Sequence, residues 1–281
     1  MQVNPMTRQG LIVVALALFA AGPVTAQNRV AIPSTATGGF GEANGCYSGL
    51  VPALNLPGPQ TLIITAADRI RIGRTSYSAP PNGISLGRSK NVGALIGAFV
   101  PQSRVSAPGF QPVSEDLASS GIPATSLFVV GNGPYRFVAP EAGTLFLGVK
   151  AGDVCGSSGS FSVSVTVPIK IAVNPGSGSL AIHQSTAGVV LVAIFSSDTF
   201  DARNVDLRSL RFAADKLQLF GTANPSSCHA ADANGDGLPD LVCQFRTSTS
   251  AIGRGTALAV LEGRTSNGMQ IRGETAVNIV P

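Results

Sequence analysis

The chain has no tryptophan, and only three tyrosines, three methionines and two histidines among its 281 residues. Charge is equally sparse: 12% of residues are charged, and the formal net charge is +4. No block of like charge and no stripe of interleaved basic and aromatic residues is present, which argues against a nucleic-acid partner. With only His183 and His229 to act as imidazole bases, catalytic constellations are thin. The chain also lacks a G-x-S-x-G elbow, a Walker loop and a dinucleotide fingerprint. A Ser–His–Asp set assembled in space from distant positions leaves a secreted hydrolase as a third reading. Past the amino terminus, apolar runs such as 92–100 and 189–195 are of strand length, too short to span a bilayer as a helix.

What is abundant points the other way. Gly 33 and Pro 19, with many valines, serines and threonines, predict short strands joined by tight turns. The first residues stand apart from that pattern. Arg8 supplies a positive n-region, Leu11 to Ala21 an apolar core, and Val24-Thr25-Ala26 a small-residue cleavage signature. We therefore expect a signal peptide over 1–26, cleaved after Ala26, and a secreted or periplasmic protein with no membrane span after cleavage. A loose Gly/Ser/Thr-rich lead-in follows over 27–45.

From Cys46 onward the pattern is strand. Residues 61–72 alternate in two parts, with Leu62 and Ile64, then Ile70 and Ile72, on the apolar face. Further strands are expected at 92–99, 125–130, 134–139 and 143–149. The clearest is Phe161-Ser-Val163-Ser-Val165-Thr-Val167, apolar on one face and hydroxylated on the other. The Pro/Gly/Ser-rich stretch 168–178 reads as a domain boundary. Beyond it come an apolar run (187–196), a mixed turn and strand segment (200–213) with Leu207, Leu210 and Phe212 as core candidates, and strands at 238–245, 256–261, 269–272 and 276–280. A two-sheet sandwich is the economical way to bury one face of each strand, which makes the chain all-β.

One motif carries explicit chemistry. Between Cys228 and Cys243 runs Asp232-Ala-Asn234-Gly-Asp236-Gly237-Leu238-Pro-Asp240. Oxygen-bearing side chains at alternate positions, a glycine at the bend and a closing carboxylate suit a hard cation such as Ca2+. Asp232, Asn234, Asp236 and Asp240 would supply side-chain oxygens, and Leu238 its carbonyl. Cys243 stands where an EF-hand places its bidentate glutamate, and strand follows, so the loop is not an EF-hand. A metal-free Asn-Gly and Asp-Gly turn is the alternative. Export makes disulfides the expected fate of the four cysteines. Three pairings exist, and Cys46–Cys155 with Cys228–Cys243 keeps each bridge within one expected domain. A zinc site from Cys228, His229 and Cys243 would lack a fourth ligand.

The residues Thr75-Ser76-Tyr77-Ser78, PYRFVAPEAG (134–143), Leu145–Lys150 and GDVCGSSGSFSVSV (152–165) resemble the small calcium-dependent galactose-binding lectins of bacteria. That resemblance implies a lectin-like jelly-roll sandwich over 46–168, with Tyr77 and Asp153 at a calcium and sugar site. The loop after Asp153 is shorter than the family's, and Gly156 and Ser157 replace its asparagine pair. The segments 192–212, 232–245 and 261–268 resemble an immunoglobulin-like calcium-loop module of exported bacterial proteins, which implies a second sandwich over 169–281. Arg69, Arg71, Arg74, Arg88 and Lys90 make the surroundings of Tyr77 basic, a field suited to acidic glycans. The function expected is non-catalytic binding of a glycan or cell-surface polymer, with Ca2+ as the cofactor. The rival is a structural or adhesion component with no small ligand.

Overall fold

The computed structural model describes residues 29–37, 46, 48–73, 77–107, 110, 127–151, 154–183, 189–214, 227–246 and 255–280. The expected signal peptide, most of the lead-in and Asp153 lie outside the described residues. The chain is all-β, as its alternating pattern predicts. Among the described residues no helix is long and apolar enough to cross a membrane.

One sheet runs through both halves of the chain. Its strands lie in the order Tyr135–Ala139, Gln60–Ala67, Ser160–Ile169, Gln270–Val280, Gly255–Arg264 and Arg211–Ala214. The strand Ser160–Ile169 is the splice. On one side it pairs antiparallel with Gln60–Ala67. Its other side is divided: Ser160 to Val163 face Val30–Pro33, and Val167 to Ile169 pair parallel with Ile271 to Gly273. The expected boundary at 168 therefore falls within a strand that belongs to both halves.

Each end of this long sheet is covered by a four-stranded one. Over the first half lie Val51–Leu56, Gly143–Lys150, Ala94–Pro101 and Leu127–Val129; over the second, Ile171–Val173, Val189–Ile194, Asp240–Arg246 and Cys228–Ala231. Alternation places Leu62, Ile64, Phe161 and Val163 inward, where they meet Leu145 and Leu147 in one buried cluster. Aromatic pairs cross the gap: Phe128 stacks on Phe137 at 5.0 Å, and Phe212 meets Phe245 at 5.3 Å. The central strands Ala94–Pro101 and Gly143–Lys150 are apolar on both faces. Their outer face forms a second cluster around Ile96, Val100 and Phe146, packed by Phe110 and Val105.

Several expectations are corrected in detail. Residues 200–213 open with two single 3₁₀ turns, Ala202–Asn204 and Leu207–Ser209, capped by the side chains of Asp201 and Asp206. Leu210 and Phe212 are fully buried, whereas Leu207 is only partly so. The strands expected at 269–272 and 276–280 are one continuous strand, Gln270–Val280. Gly273 does not break it. A Cβ there would lie 2.7 Å from the Ile171 side chain and 3.0 Å from the Ile169 carbonyl, so this glycine permits a close approach rather than a turn.

Candidate functional site

The acidic loop joins the edge strand Cys228–Ala231 to Asp240–Arg246, in a register that sets Cys228 opposite Cys243. The disulfide closes across that pair, with its Cα atoms 4.1 Å apart. Above the bridge the chain turns on Gly235 and Gly237, at φ 78° and 84°, values that side-chain-bearing residues rarely adopt. Backbone N–H groups point inward as a result. Asp232 Oδ1 accepts from Gly235 and Asp236 at 2.7 and 3.1 Å, and its Oδ2 accepts from Gly237 at 3.0 Å. Asn234 Oδ1 accepts from the Asp236 N–H, and Asp236 Oδ1 from the Leu238 N–H. The Asn234 amide donates to Asp236 Oδ2 at 2.8 Å.

Asp240 is used differently. It is fully buried, and its two oxygens accept the N–H groups of Ser196 and Ala233 at 2.8 and 2.9 Å. Ser196 completes the connection: its hydroxyl donates to the Pro239 carbonyl and accepts from the Ala202 N–H. Asp232, Asn234 and Asp236 are exposed. Among the described residues no three His, Cys, Asp or Glu side chains gather as a metal-holding group. By donor type the loop fits a hard cation: two exposed carboxylates, one amide oxygen and a main-chain carbonyl in sequence. Asp232 Oδ1 already accepts two N–H groups, whereas Asp232 Oδ2 and both oxygens of Asp236 accept one hydrogen bond each and keep a second lone pair.

The Tyr77 region forms a second neighbourhood. Tyr77–Ala79 pairs with Ile70–Ile72, and Tyr77 is 49% exposed. Arg69 braces this hairpin, donating from Nε to Ser78 Oγ at 2.9 Å and from Nη2 to the Ser78 carbonyl at 2.8 Å. On the opposite edge of Ile70–Ile72, Arg71 bridges to Ser158, and the Gly73 N–H donates to Ser157 Oγ at 2.8 Å. The loop that would carry the sugar ligands thus lies one strand away from the tyrosine hairpin. Ser157, which the expected lectin resemblance sets at an asparagine position, is committed to tying its loop to Gly73. Cys155 in the same loop is bridged to Cys46, with Cα atoms 5.1 Å apart.

The two histidines stand on different strands. His183 is exposed on Ala181–His183, which pairs with the last strand, and His229 is exposed on the edge strand Cys228–Ala231. Asp201 caps the first 3₁₀ turn, and the Arg203 guanidinium hydrogen-bonded to it holds its carboxyl below the usual carboxylate range. Sequence reasoning missed a groove where the halves meet, whose cations Arg136 and Lys170 are far apart in the chain. No spacing rule links those two positions. Their proximity comes only from the shared sheet.

No family model matches the chain, and no curated protein matches it. Among solved structures it is similar to a DUF4785 family protein from Legionella pneumophila, at 13% identity and TM-score 0.31, over 82% of this chain and 55% of that one. It is also similar to the glycoside hydrolase domain of Endo-D from Streptococcus pneumoniae, at 9% identity and TM-score 0.25, over 83% of this chain and 30% of that one. The chain thus spans about half of the first and about a third of the second. Likenesses this faint define neither fold nor activity.

Proposed function

We propose that the chain is an exported, non-catalytic binding protein, fastened by Ca2+ at the 232–240 loop and directed to carbohydrate at the cell surface or beyond it. The observation that carries the calcium reading is the loop itself. Its N–H groups fix the side chains of Asp232, Asn234 and Asp236, all three exposed, on one short turn. Those three side chains and the Leu238 carbonyl would hold the ion, while Asp240 anchors the loop to Ser196 from below. Ca2+ bound there would neutralise neighbouring carboxylates and stiffen the turn, with no chemical step. The half-exposed Tyr77, with Asp153 nearby in sequence to the Ser157 and Ser158 contacts, is the carbohydrate site on this reading. An exposed tyrosine offers an apolar face and a polar tip to a sugar ring. Two sandwich units, 46–168 and 169–281, would divide the labour. A structural or adhesion component without a small ligand is the competing reading, favoured by the commitment of Ser157 to Gly73.

Calorimetric titration with Ca2+ tests the metal reading. One site should appear in the wild type and vanish in Asp236→Ala; an unchanged isotherm in that variant would refute it. A glycan array with and without chelator tests the target. Silence under both conditions would leave the adhesion reading in its place.

A further inference from the structure

Where the two halves meet, the surface dips into a groove of about 490 Å3 that the expected site at Tyr77 does not include. Its volume lies within the roughly 300–1,000 Å3 typical of clefts that hold small ligands. The first half contributes Thr61 and Arg136 to its lining; the second contributes Lys170, the turn after Phe195 and residues Asn234, Asp236 and Leu238 of the acidic loop. Lys170 is the first residue after the shared strand Ser160–Ile169, and its carbonyl accepts the Phe195 N–H at 3.0 Å.

The polarity of this groove is divided. Arg136 and Lys170 are both exposed, and neither makes an ion pair with a described residue. Two unpaired cations, in a lining that also holds Asp198 and Asp236, offer partners to an anionic group, and the guanidinium fork matches a carboxylate in geometry. The lining also presents Ser197, Asp198, Thr199, Asn234 and Asp236, all exposed and rich in acceptors for hydroxyl donors. Half-buried Phe195 adds an apolar surface. A simple anion would satisfy the two cations and leave the acceptors unused. A neutral sugar would satisfy the acceptors and leave the cations unpaired. A molecule that combines a carboxylate with ring hydroxyls and an apolar ring face fills all three.

We propose that this groove binds an acidic oligosaccharide of the uronate class, its carboxylate on Arg136 and Lys170 and its hydroxyls toward Ser197, Asn234 and Asp236. The proposal rests on the carbohydrate-binding reading and moves its centre from Tyr77 to the seam. Charge pairing at an open groove is screened by salt, so the binding should weaken as ionic strength rises.

The test is calorimetric titration of the full chain with trigalacturonate and trimannuronate. Galactotriose and sodium sulfate serve as the neutral and simple-anion probes. At least one uronate trimer should bind, at least tenfold tighter than galactotriose and than sulfate. The double variant Arg136→Gln/Lys170→Gln should lose at least tenfold, with an unchanged melting temperature, while Arg208→Gln, exposed and outside the groove, keeps wild-type affinity. Failure of both uronates to bind, or undiminished binding in the double variant, overturns the proposal. Sulfate binding as tight as the uronates would reduce the groove to an anion site and overturn it too. Neutral glycans bound and then lost in Tyr77→Ala, with neither uronate bound, would sink the groove and leave the carbohydrate reading standing. If no saccharide binds at all, both fall.

Discussion

Ser196 donates its backbone N–H to Asp240 Oδ1 at 2.8 Å, across 44 positions of sequence. Through this bond the turn at the seam and the base of the acidic loop become one unit. The other oxygen of Asp240 holds the loop's own second residue, Ala233, and the whole carboxylate is shut away from water. A buried acceptor of two N–H groups leaves both orphaned when it is removed.

Asp240→Ala should therefore cost about 3 kcal/mol, and Asp240→Asn, which keeps one acceptor, about half of that. Urea unfolding in the presence of chelator isolates this contribution from any metal effect. A loss below about 1 kcal/mol for the alanine variant would mean that water replaces the carboxylate.

The two disulfides differ in the loop they close, at separations of 109 and 15 residues. Chain-entropy reasoning assigns about 4.7 kcal/mol to a bridge closing about a hundred residues and about 3 kcal/mol to one closing about fifteen. Replacing Cys46 and Cys155 by serine should thus lower the unfolding midpoint further than replacing Cys228 and Cys243. The reverse ranking would point to a compact unfolded state in the first half.

Gly273 tests the seam. Alanine there would press on Ile171 and on the Ile169 carbonyl, an overpacking of about 2 kcal/mol. Gly58 has nothing within 4 Å of the position a Cβ would take and serves as the control, with a change within about 0.5 kcal/mol. Thermal unfolding of both variants suffices, and equal effects would refute the close approach.

Acid should remove a small stabilisation from Asp201. Its side chain is 35% exposed, and its hydrogen bonds to Arg203 lower the folded-state pKa. Because the folded value lies below the unfolded one, the benefit is present above the unfolded pKa and lost as pH falls through the folded one. Exposure and solvent screening limit it to well under 1 kcal/mol. Asp201→Asn, which still caps the turn, should match wild type at about pH 2 and fall slightly below it at neutral pH. A gap that persists at the acid end would assign the effect to capping.

Strand identity was legible because inward positions alternate. Leu62, Ile64, Ile70 and Ile72 are buried as their spacing predicts, while Arg69 and Arg71 between them are exposed. The cysteine pairing expected from domain economy is the pairing present. Non-local relationships were not legible. Nothing local in Val167-Pro168-Ile169 announces a parallel partner at Ile271, and Gly273 looks like a turn until its neighbours are known. Of the acidic loop, the sequence displayed the oxygen donors but not their division of labour. Asp232 and Asp240 differ in what the fold brings against them: three N–H groups of the loop in one case, Ala233 and the distant Ser196 in the other.

The divided edge of Ser160–Ile169 bears on how the molecule comes into being. A ribosome delivers this strand about a hundred residues before the segment that pairs with Val167 to Ile169. Until Gln270–Val280 emerges, those backbone groups offer a ready template for any passing strand. The nascent first half is thus adhesive at one spot from the emergence of Ile169 until that of Gln270, and the last strand to appear is the one that makes it safe.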